Sequence, residues 1–164
     1  MNNRLKDFYM GVATSAASLS RCVRLQVGCV IVKDDNILSF SWNGTPAGWD
    51  NCCEERIYMD SDAGGWLDPE TIELNWPYSD ADDNRYKLQT LPEVIHSESN
   101  AIAKMAKHGY SALDATMFCT MSPCIDCAKL IYQSGIHTLY YEDGYRCTAG
   151  LDFLERVDVT VLHI

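Results

Sequence analysis

The chain has 164 residues, a length that suits a single domain (residues 1–164) with one hydrophobic core. Its formal net charge is −10, and residues 54–95 contribute −8 of it through 11 acidic and 3 basic residues. The basic stripe of a protein that follows a polynucleotide backbone is therefore missing. No apolar run reaches the roughly 18 residues of a membrane helix, and the N-terminus does not resemble a signal peptide. The sequence predicts a cytoplasmic protein with neither membrane nor polynucleotide partners.

The first part of the chain predicts a helix followed by a hairpin. Apolar residues recur at three- and four-residue spacing from Leu5 to Leu19, which favours an amphipathic helix over residues 3–20. Two short apolar runs, 27–32 and 37–42, flank the turn sequence Asp34-Asp35-Asn36 and predict paired strands.

Residues 49–95 form an acidic stretch interrupted by several prolines and by Gly64-Gly65. A segment of this length without structure is unusual in a compact domain, so we expect one or two short helices, one of them over residues 52–59. Three tryptophans, Trp49, Trp66 and Trp76, argue against simple disorder. We interpret the stretch as a functional insertion at the rim of the site or between subunits.

Helical and strand patterns alternate after the insertion. The predicted elements are a helix over 96–107, a strand over 115–120, a helix over 123–133, a strand over 137–142, a helix over 151–156 and a strand over 157–164. This alternation indicates an α/β fold whose sheet is covered on both faces by helices.

Two motifs in this part of the chain carry metal-binding residues. His96 begins the sequence His-Ser-Glu, and Cys124 and Cys127 form a Cys-x-x-Cys pair after Ser122 and Pro123. If Ser122 caps a helix that starts at Pro123, both thiols lie on one face of the first turn, where the helix dipole and a bound zinc favour thiolates. One histidine and two cysteines leave the fourth position of tetrahedral zinc for water, as in catalytic sites.

Glu98 is predicted to act as a free carboxylate beside this metal. It lies about 200° round an ideal helix from His96, so it does not ligate alongside that histidine in a regular first turn. We expect it to take a proton from water and to deliver protons to a ring nitrogen and to leaving ammonia. Cys-x-x-Cys alone also fits a redox pair or half of a structural zinc site. His-x-Glu followed by Pro-Cys-x-x-Cys is the signature of zinc-dependent nucleobase deaminases.

In these motifs and in several other stretches, the chain resembles the deoxycytidylate (dCMP) deaminases of the cytidine-deaminase-like superfamily, and their phage members in particular. Six stretches carry the resemblance: 21–22, 27–32, 43–48, 51–53, 96–102 and 122–136. The resemblance implies a three-layer α/β/α fold with a mixed five-stranded sheet, and a homohexamer that converts dCMP to dUMP. It also implies zinc on His96, Cys124 and Cys127, with Glu98 as proton shuttle.

The substrate-binding residues are predicted less directly. The resemblance implies that Asn43 contacts the sugar or base of the nucleotide. Arg21, Arg24, Lys104 and Lys107 are candidate phosphate ligands, and Arg24 is preferred because it lies just before the first predicted strand. Ser97 and Ser122, which adjoin the predicted metal ligands, are further candidate substrate contacts.

Two further predictions concern metals. Some phage relatives hold a second, structural zinc with cysteines that match Cys22 and Cys52 and with histidines upstream of the catalytic one. No histidine precedes His96 here, so a second zinc would need Cys53 or a carboxylate, and a buried thiol cluster is the alternative. Mg²⁺ is expected only if nucleotide effectors bind. The family's Gly-Tyr-Asn-Gly element, which is associated with effector control, reads Ser-Trp-Asn-Gly at residues 41–44 and so argues against such control.

Two other functions fit the same motifs. The first is deamination of another substrate, such as dCTP, a free nucleoside or a tRNA adenosine, although the acidic composition argues against tRNA. The second is a zinc-stabilised nucleotide-binding module without turnover. Glu98 argues against the second, because a structural zinc site has no need of a free carboxylate next to the metal.

Overall fold

The computed structural model describes residues 1–60 and 67–164. The described helices are α1 (Asn3–Ala17), α2 (Pro69–Asn75), α3 (Ser97–His108), α4 (Ile125–Gln133) and α5 (Ala149–Arg156). The described strands are β1 (Gly28–Lys33), β2 (Asn36–Trp42), β3 (Glu54–Tyr58), β4 (Tyr78–Ser79), β5 (Arg85–Thr90), β6 (Thr116–Met121), β7 (Thr138–Asp143) and β8 (Thr160–His163). None of these helices is both long and apolar enough to cross a membrane.

The main sheet has five strands in the order β2-β1-β6-β7-β8. The β1 strand pairs antiparallel with both β2 and β6, whereas β6, β7 and β8 run parallel to one another. The sheet is therefore mixed, as predicted. The predicted hairpin is also confirmed, with Asp34 and Asp35 at positive φ in its turn.

Helices cover the two faces of this sheet. On one face α1 packs against β1 and β6, burying Tyr9 and Ala13 against Val30 and Phe118. On the other face α3 lies over β1 and β2, and α4 packs against α5. A larger apolar cluster fills that side, with Ile31, Met117, Ile131, Leu139 and Leu154 fully buried. The predicted three-layer α/β/α architecture is confirmed.

The insertion contains a second, three-stranded sheet in the order β3-β5-β4. The helix expected over residues 52–59 is wrong, because this segment forms β3 and pairs antiparallel with β5. Packing of Tyr86 against the rings of Tyr58 and Tyr78 joins the three strands across one face, so cross-strand contacts override local helix propensity.

A short helix does occur in the insertion, but further along the chain. Asp68 caps α2 by accepting a hydrogen bond from the backbone N–H of Thr71 at 2.9 Å, and Pro69 occupies the first helical position. The acidic side chains of Asp68, Glu70 and Glu73 are exposed. Gly64, Gly65 and Trp66, on which part of the sequence interpretation depended, lie outside the described residues.

Candidate active site

Three predicted metal ligands meet at the beginnings of α3 and α4. The Nδ1 atom of His96 lies 3.5 Å from the Sγ atoms of both Cys124 and Cys127, and the three ligand atoms lie within 4.8 Å of one another. Zn–N bonds of about 2.0 Å and Zn–S bonds of about 2.3 Å at the tetrahedral angle place nitrogen and sulfur about 3.5 Å apart. The distances between these ligand atoms therefore fit a bound zinc ion. Within residues 1–60 and 67–164 no other such cluster of three ligands is found.

Both ligand-bearing helices begin at a ligand. His96 is the N-cap residue of α3, and the preceding residue, Ile95, is fixed by two backbone hydrogen bonds to Gly44, of 2.9 and 3.1 Å. Cys124 is the N-cap residue of α4, and Cys127 follows in its first turn. Both sulfur atoms thus lie at the positive end of the α4 dipole, as predicted.

The predicted cap of this helix is wrong by two residues. Ser122 does not cap α4, and Pro123 precedes the helix, which begins at Ile125. Instead the Ser122 hydroxyl accepts a hydrogen bond from the backbone N–H of Tyr145 at 2.7 Å, and the Ser122 N–H donates to the carbonyl of Asp143 at 2.8 Å. Ser122 therefore ties the segment after β6 to the loop after β7.

Gly150 brings α5 against the Cys124 segment. A Cβ atom at this position would lie 2.1 Å from the carbonyl oxygen of Pro123 and 2.9 Å from the carbonyl carbon of Cys124. Such distances are far below van der Waals contact, so any side chain at Gly150 would displace the backbone that carries a metal ligand.

The two thiols differ in pKa, and the thiolate charge lies on Cys124. Hydrogen bonds from Cys127 and from His96 lower the pKa of Cys124 to about 3. Because Cys127 donates to this thiolate and is itself buried, its pKa is raised above the usual thiol range. The hydrogen bond to Cys124 also raises the pKa of His96. The site therefore holds one thiolate readily and requires a cation to ionise the second thiol.

Glu98 lies beside the ligand cluster without belonging to it. Its side chain is only 4% exposed, and burial raises the pKa of its carboxyl group. The Ser97 hydroxyl donates a hydrogen bond of 2.9 Å to this carboxylate. The Ser97 carbonyl in turn accepts hydrogen bonds from the Ser41 hydroxyl and the Cys29 thiol, which fix the first turn of α3 to the sheet. Glu98 is therefore a rigidly held carboxyl group whose burial favours its protonated form, while the Ser97 hydroxyl favours the ionised one.

A cavity of about 590 Å³ opens above these residues. His96, Glu98 and Cys124 line it, and Cys127 lies buried behind them. The four predicted substrate-binding residues also line this cavity: Asn43, Arg24, Ser97 and Ser122. The fold thus brings together residues that the sequence separates by up to a hundred positions.

The Asn43 side chain is engaged with the backbone of the loop before β1. Its Oδ1 accepts a hydrogen bond from the N–H of Val27 at 2.8 Å, and its Nδ2 donates to the carbonyl of Leu25 at 2.8 Å. Asn43 therefore holds this loop, which also carries Arg24, against the cavity.

The other candidate phosphate ligands lie away from the cavity. Lys104 sits 4.7 Å from the centre of the Trp42 ring and donates a hydrogen bond to the carbonyl of Phe40 at 3.1 Å. Neither Arg21 nor Lys107 is among the residues that line the cavity.

Two cavity residues, Tyr145 and Arg146, were missed by sequence reasoning. They belong to the loop after β7, and no local motif marks them. The carboxyl ends of the parallel strands β6 and β7 lie at the same edge of the sheet, so the loops that follow them adjoin. Tyr145 and Arg146 could have been placed at the cavity from the sequence only if β6 and β7 had been predicted to pair in parallel.

Cys22 and Cys53 are buried next to each other, and burial raises the pKa of Cys53 to about 12. Cys22 also contributes to the hydrogen bonding that raises this pKa. Cys52 is exposed, and its thiol donates to the Glu54 carbonyl at 3.3 Å. Cys22 and Cys53 thus form a buried thiol pair, which corresponds to the alternative that the sequence offered to a second zinc.

The three-layer fold, the His/Cys/Cys cluster and the adjacent buried glutamate together define the class of zinc-dependent deaminases. A family model described as the cytidine and deoxycytidylate deaminase zinc-binding region matches residues 3–143. The chain therefore belongs to the cytidine and deoxycytidylate deaminase family.

Individual relatives agree with this assignment. The deoxycytidylate deaminase of Enterobacteria phage T4 is 34% identical over 150 residues, an alignment that covers 82% of this chain and 75% of the relative. That of Mycobacterium phage D29 is 31% identical, with 82% and 91% covered. The structure of the cyanophage S-TIM5 dCMP deaminase in complex with dCMP and dUMP matches with a TM-score of 0.78 and 36% identity, covering 100% of this chain and 99% of the other.

Proposed function

We propose that the chain is a zinc-dependent dCMP deaminase, which hydrolyses dCMP to dUMP and ammonia and so supplies dUMP for dTMP synthesis. The observation that carries this proposal is the buried carboxyl group of Glu98 in a cavity that His96 and Cys124 also line. The phage relatives named above, one of them with dCMP and dUMP bound, support the choice of substrate.

The reaction replaces the exocyclic amino group of cytosine with oxygen from water. His96, Cys124 and Cys127 would hold a zinc ion, which would supply a Lewis acid that lowers the pKa of water toward neutral pH. Glu98 takes a proton from the attacking water and passes one to the ring nitrogen. It then takes the second proton from the hydroxyl group formed on the attacked carbon and gives it to the amino group, which leaves as ammonia when the carbon–nitrogen bond breaks and the carbonyl group of dUMP forms. Hydrogen bonding from Ser97 stabilises the ionised Glu98 that starts this sequence.

Arginines at the cavity mouth are proposed to bind the substrate phosphate. Arg24 and Arg146 both line the cavity and are exposed, and a guanidinium can bind phosphate through two parallel hydrogen bonds. Asn43, Ser97 and Ser122 stay proposed contacts to the sugar and base. Ser122 is suited to donate, since its oxygen accepts from Tyr145 and its proton is left for a ligand.

Four other predictions are part of this proposal. They are assembly as a homohexamer, location in the cytoplasm, a second zinc at Cys22, Cys52 and Cys53, and Mg²⁺ bound with nucleotide effectors. Metal analysis per subunit together with light scattering of the purified protein would test the metals and the assembly.

A panel assay tests the proposed function. Ultraviolet absorbance is followed with dCMP, dCDP, dCTP, deoxycytidine and CMP, for the zinc-loaded wild type and for Glu98→Ala. We expect dCMP to be the preferred substrate and Glu98→Ala to be inactive. No turnover of any of these compounds by the wild type would refute a cytosine-nucleotide deaminase, and preference for dCTP would reassign the substrate.

A further inference from the structure

The insertion is joined to the loop that carries Arg24, and the contacts are specific. We call residues 20–27 the arginine loop. One carboxylate oxygen of Glu54, at the start of β3, accepts hydrogen bonds from the backbone N–H groups of Val23 at 3.0 Å and Arg24 at 3.2 Å. The charge of Glu54 therefore holds the backbone of the arginine loop in one place.

A second contact holds the side chain of Arg24. Its guanidinium donates a hydrogen bond of 3.0 Å to the hydroxyl of Thr90, the last residue of β5. Glu54 and Thr90 are direct partners in the antiparallel register of β3 and β5. One pair of opposed residues in the insertion sheet thus fixes both the backbone and the side chain of Arg24.

This arrangement leaves the guanidinium free for an anion. A guanidinium has five N–H donors, and Thr90 accepts from one of them. Among residues 1–60 and 67–164, no carboxylate lies within salt-bridge distance of Arg24. Arg24, Glu54 and Thr90 all line the cavity above the metal ligands, so the free donors lie at its rim.

We infer that Glu54 and Thr90 are positioning residues that orient Arg24 toward the substrate phosphate, and that the insertion thereby selects a phosphorylated nucleotide over a nucleoside. This inference rests on the proposed function. A side chain as flexible as arginine loses rotamer entropy when it binds phosphate, and a partner that fixes it beforehand reduces this cost. The effect should therefore be on binding of dCMP and not on the chemical step.

The test compares Glu54→Ala and Thr90→Val with the wild-type enzyme. We expect each substitution to raise the KM for dCMP about tenfold, a factor typical of lost charge-assisted hydrogen bonds, while kcat changes by less than about twofold. The kcat/KM for deoxycytidine should stay unchanged. Glu54→Gln and Thr90→Ser, which keep an acceptor oxygen, should recover most of the loss. Glu55→Ala is the matched control, because Glu55 is the next residue on β3 and does not line the cavity.

A double-mutant cycle completes the test. In an Arg24→Ala background, Thr90→Val should raise the KM for dCMP no further, since the side chain that it positions is gone. Full additivity in this cycle, a fall in kcat, or equal losses for dCMP and deoxycytidine would overturn the positioning role. A wild-type enzyme without activity on dCMP would instead overturn the proposed function on which the inference rests.

Discussion

The metal centre and the insertion meet at one cavity, but they are built in different ways. The metal centre comes from local motifs in which a ligand begins each helix, and its chemistry follows from the residue types alone. The insertion contributes residues to the cavity through strand register. Glu54 and Thr90 lie side by side because β3 pairs with β5. Under the proposed function, the catalytic residues are local in the sequence, whereas substrate selection depends on tertiary pairing. Substitutions at the centre should therefore affect kcat, and substitutions in the insertion should affect KM.

The largest effect should come from Glu98→Gln. Removing the proton shuttle should lower kcat by roughly 10²–10⁴-fold, the usual contribution of general acid–base catalysis, while one zinc per subunit is retained. Steady-state kinetics with metal analysis would measure both. Glu155→Gln, an exposed change on α5, is the control. A Glu98→Gln enzyme that lost zinc would make Glu98 a ligand and contradict the division of roles.

Gly150→Ala should be the most disruptive change outside the ligands. The added methyl group would overlap the backbone of Pro123 and Cys124, so we expect the free energy of unfolding to fall by about 3 kcal/mol. Zinc affinity should fall with it. Gly11→Ala in α1 is the control, because no atom beyond the neighbouring backbone of its own helix lies within 4 Å of the added Cβ, and alanine favours a helix. Denaturant titration and zinc competition would compare the two, and equal stabilities would contradict the close contact.

Zinc binding should depend steeply on pH. In protein stripped of metal by a chelator, Cys127 is protonated at neutral pH because its pKa is raised, whereas Cys124, with a pKa of about 3, is already a thiolate. Zinc must displace the proton of Cys127, so apparent affinity should fall about tenfold per unit decrease in pH. At pH values below the raised pKa of His96, zinc must also displace a proton from this imidazole. The apparent zinc affinity should then fall about a hundredfold per unit decrease in pH. Calorimetry in buffers of different ionisation enthalpy would count the protons.

The smallest effect on function should come from labelling the exposed thiols. At pH 8 Cys53, with a pKa of about 12, has only about one thiolate per 10⁴ molecules, so it should react far more slowly with a disulfide reagent than exposed Cys52 and Cys147. Mass spectrometry would locate the label, and the labelled enzyme should keep its kcat for dCMP. Rapid labelling of Cys53 would show that the thiol pair with Cys22 opens readily.

The elements of the main sheet and their covering helices could be predicted because hydrophobic periodicity is a local property. Where prediction failed, a distant partner decided the outcome. Serine is a better helix cap than cysteine by local preference, yet Ser122 is engaged by Tyr145 and the helix begins later. The segment 52–59 contains the strand β3 because it pairs with β5, which lies some thirty residues further along the chain. Arg146 could be assigned to the cavity only once the parallel pairing of β6 and β7 was known.

The exposed carboxylates of the insertion have a consequence for how fast a nucleotide reaches the enzyme. A protein of net charge −10 repels a phosphate-bearing molecule at long range, and the attraction of two rim arginines extends over only about 8–10 Å at physiological ionic strength. At an ionic strength of about 0.01 M the Debye length is about 30 Å, so the net repulsion of the whole chain outweighs the local attraction at the rim. Added salt should therefore accelerate diffusional encounter in that range, opposite to the trend at basic nucleotide-binding surfaces. The acidic insertion would thus slow the approach of the ligand whose phosphate it helps to recognise at contact.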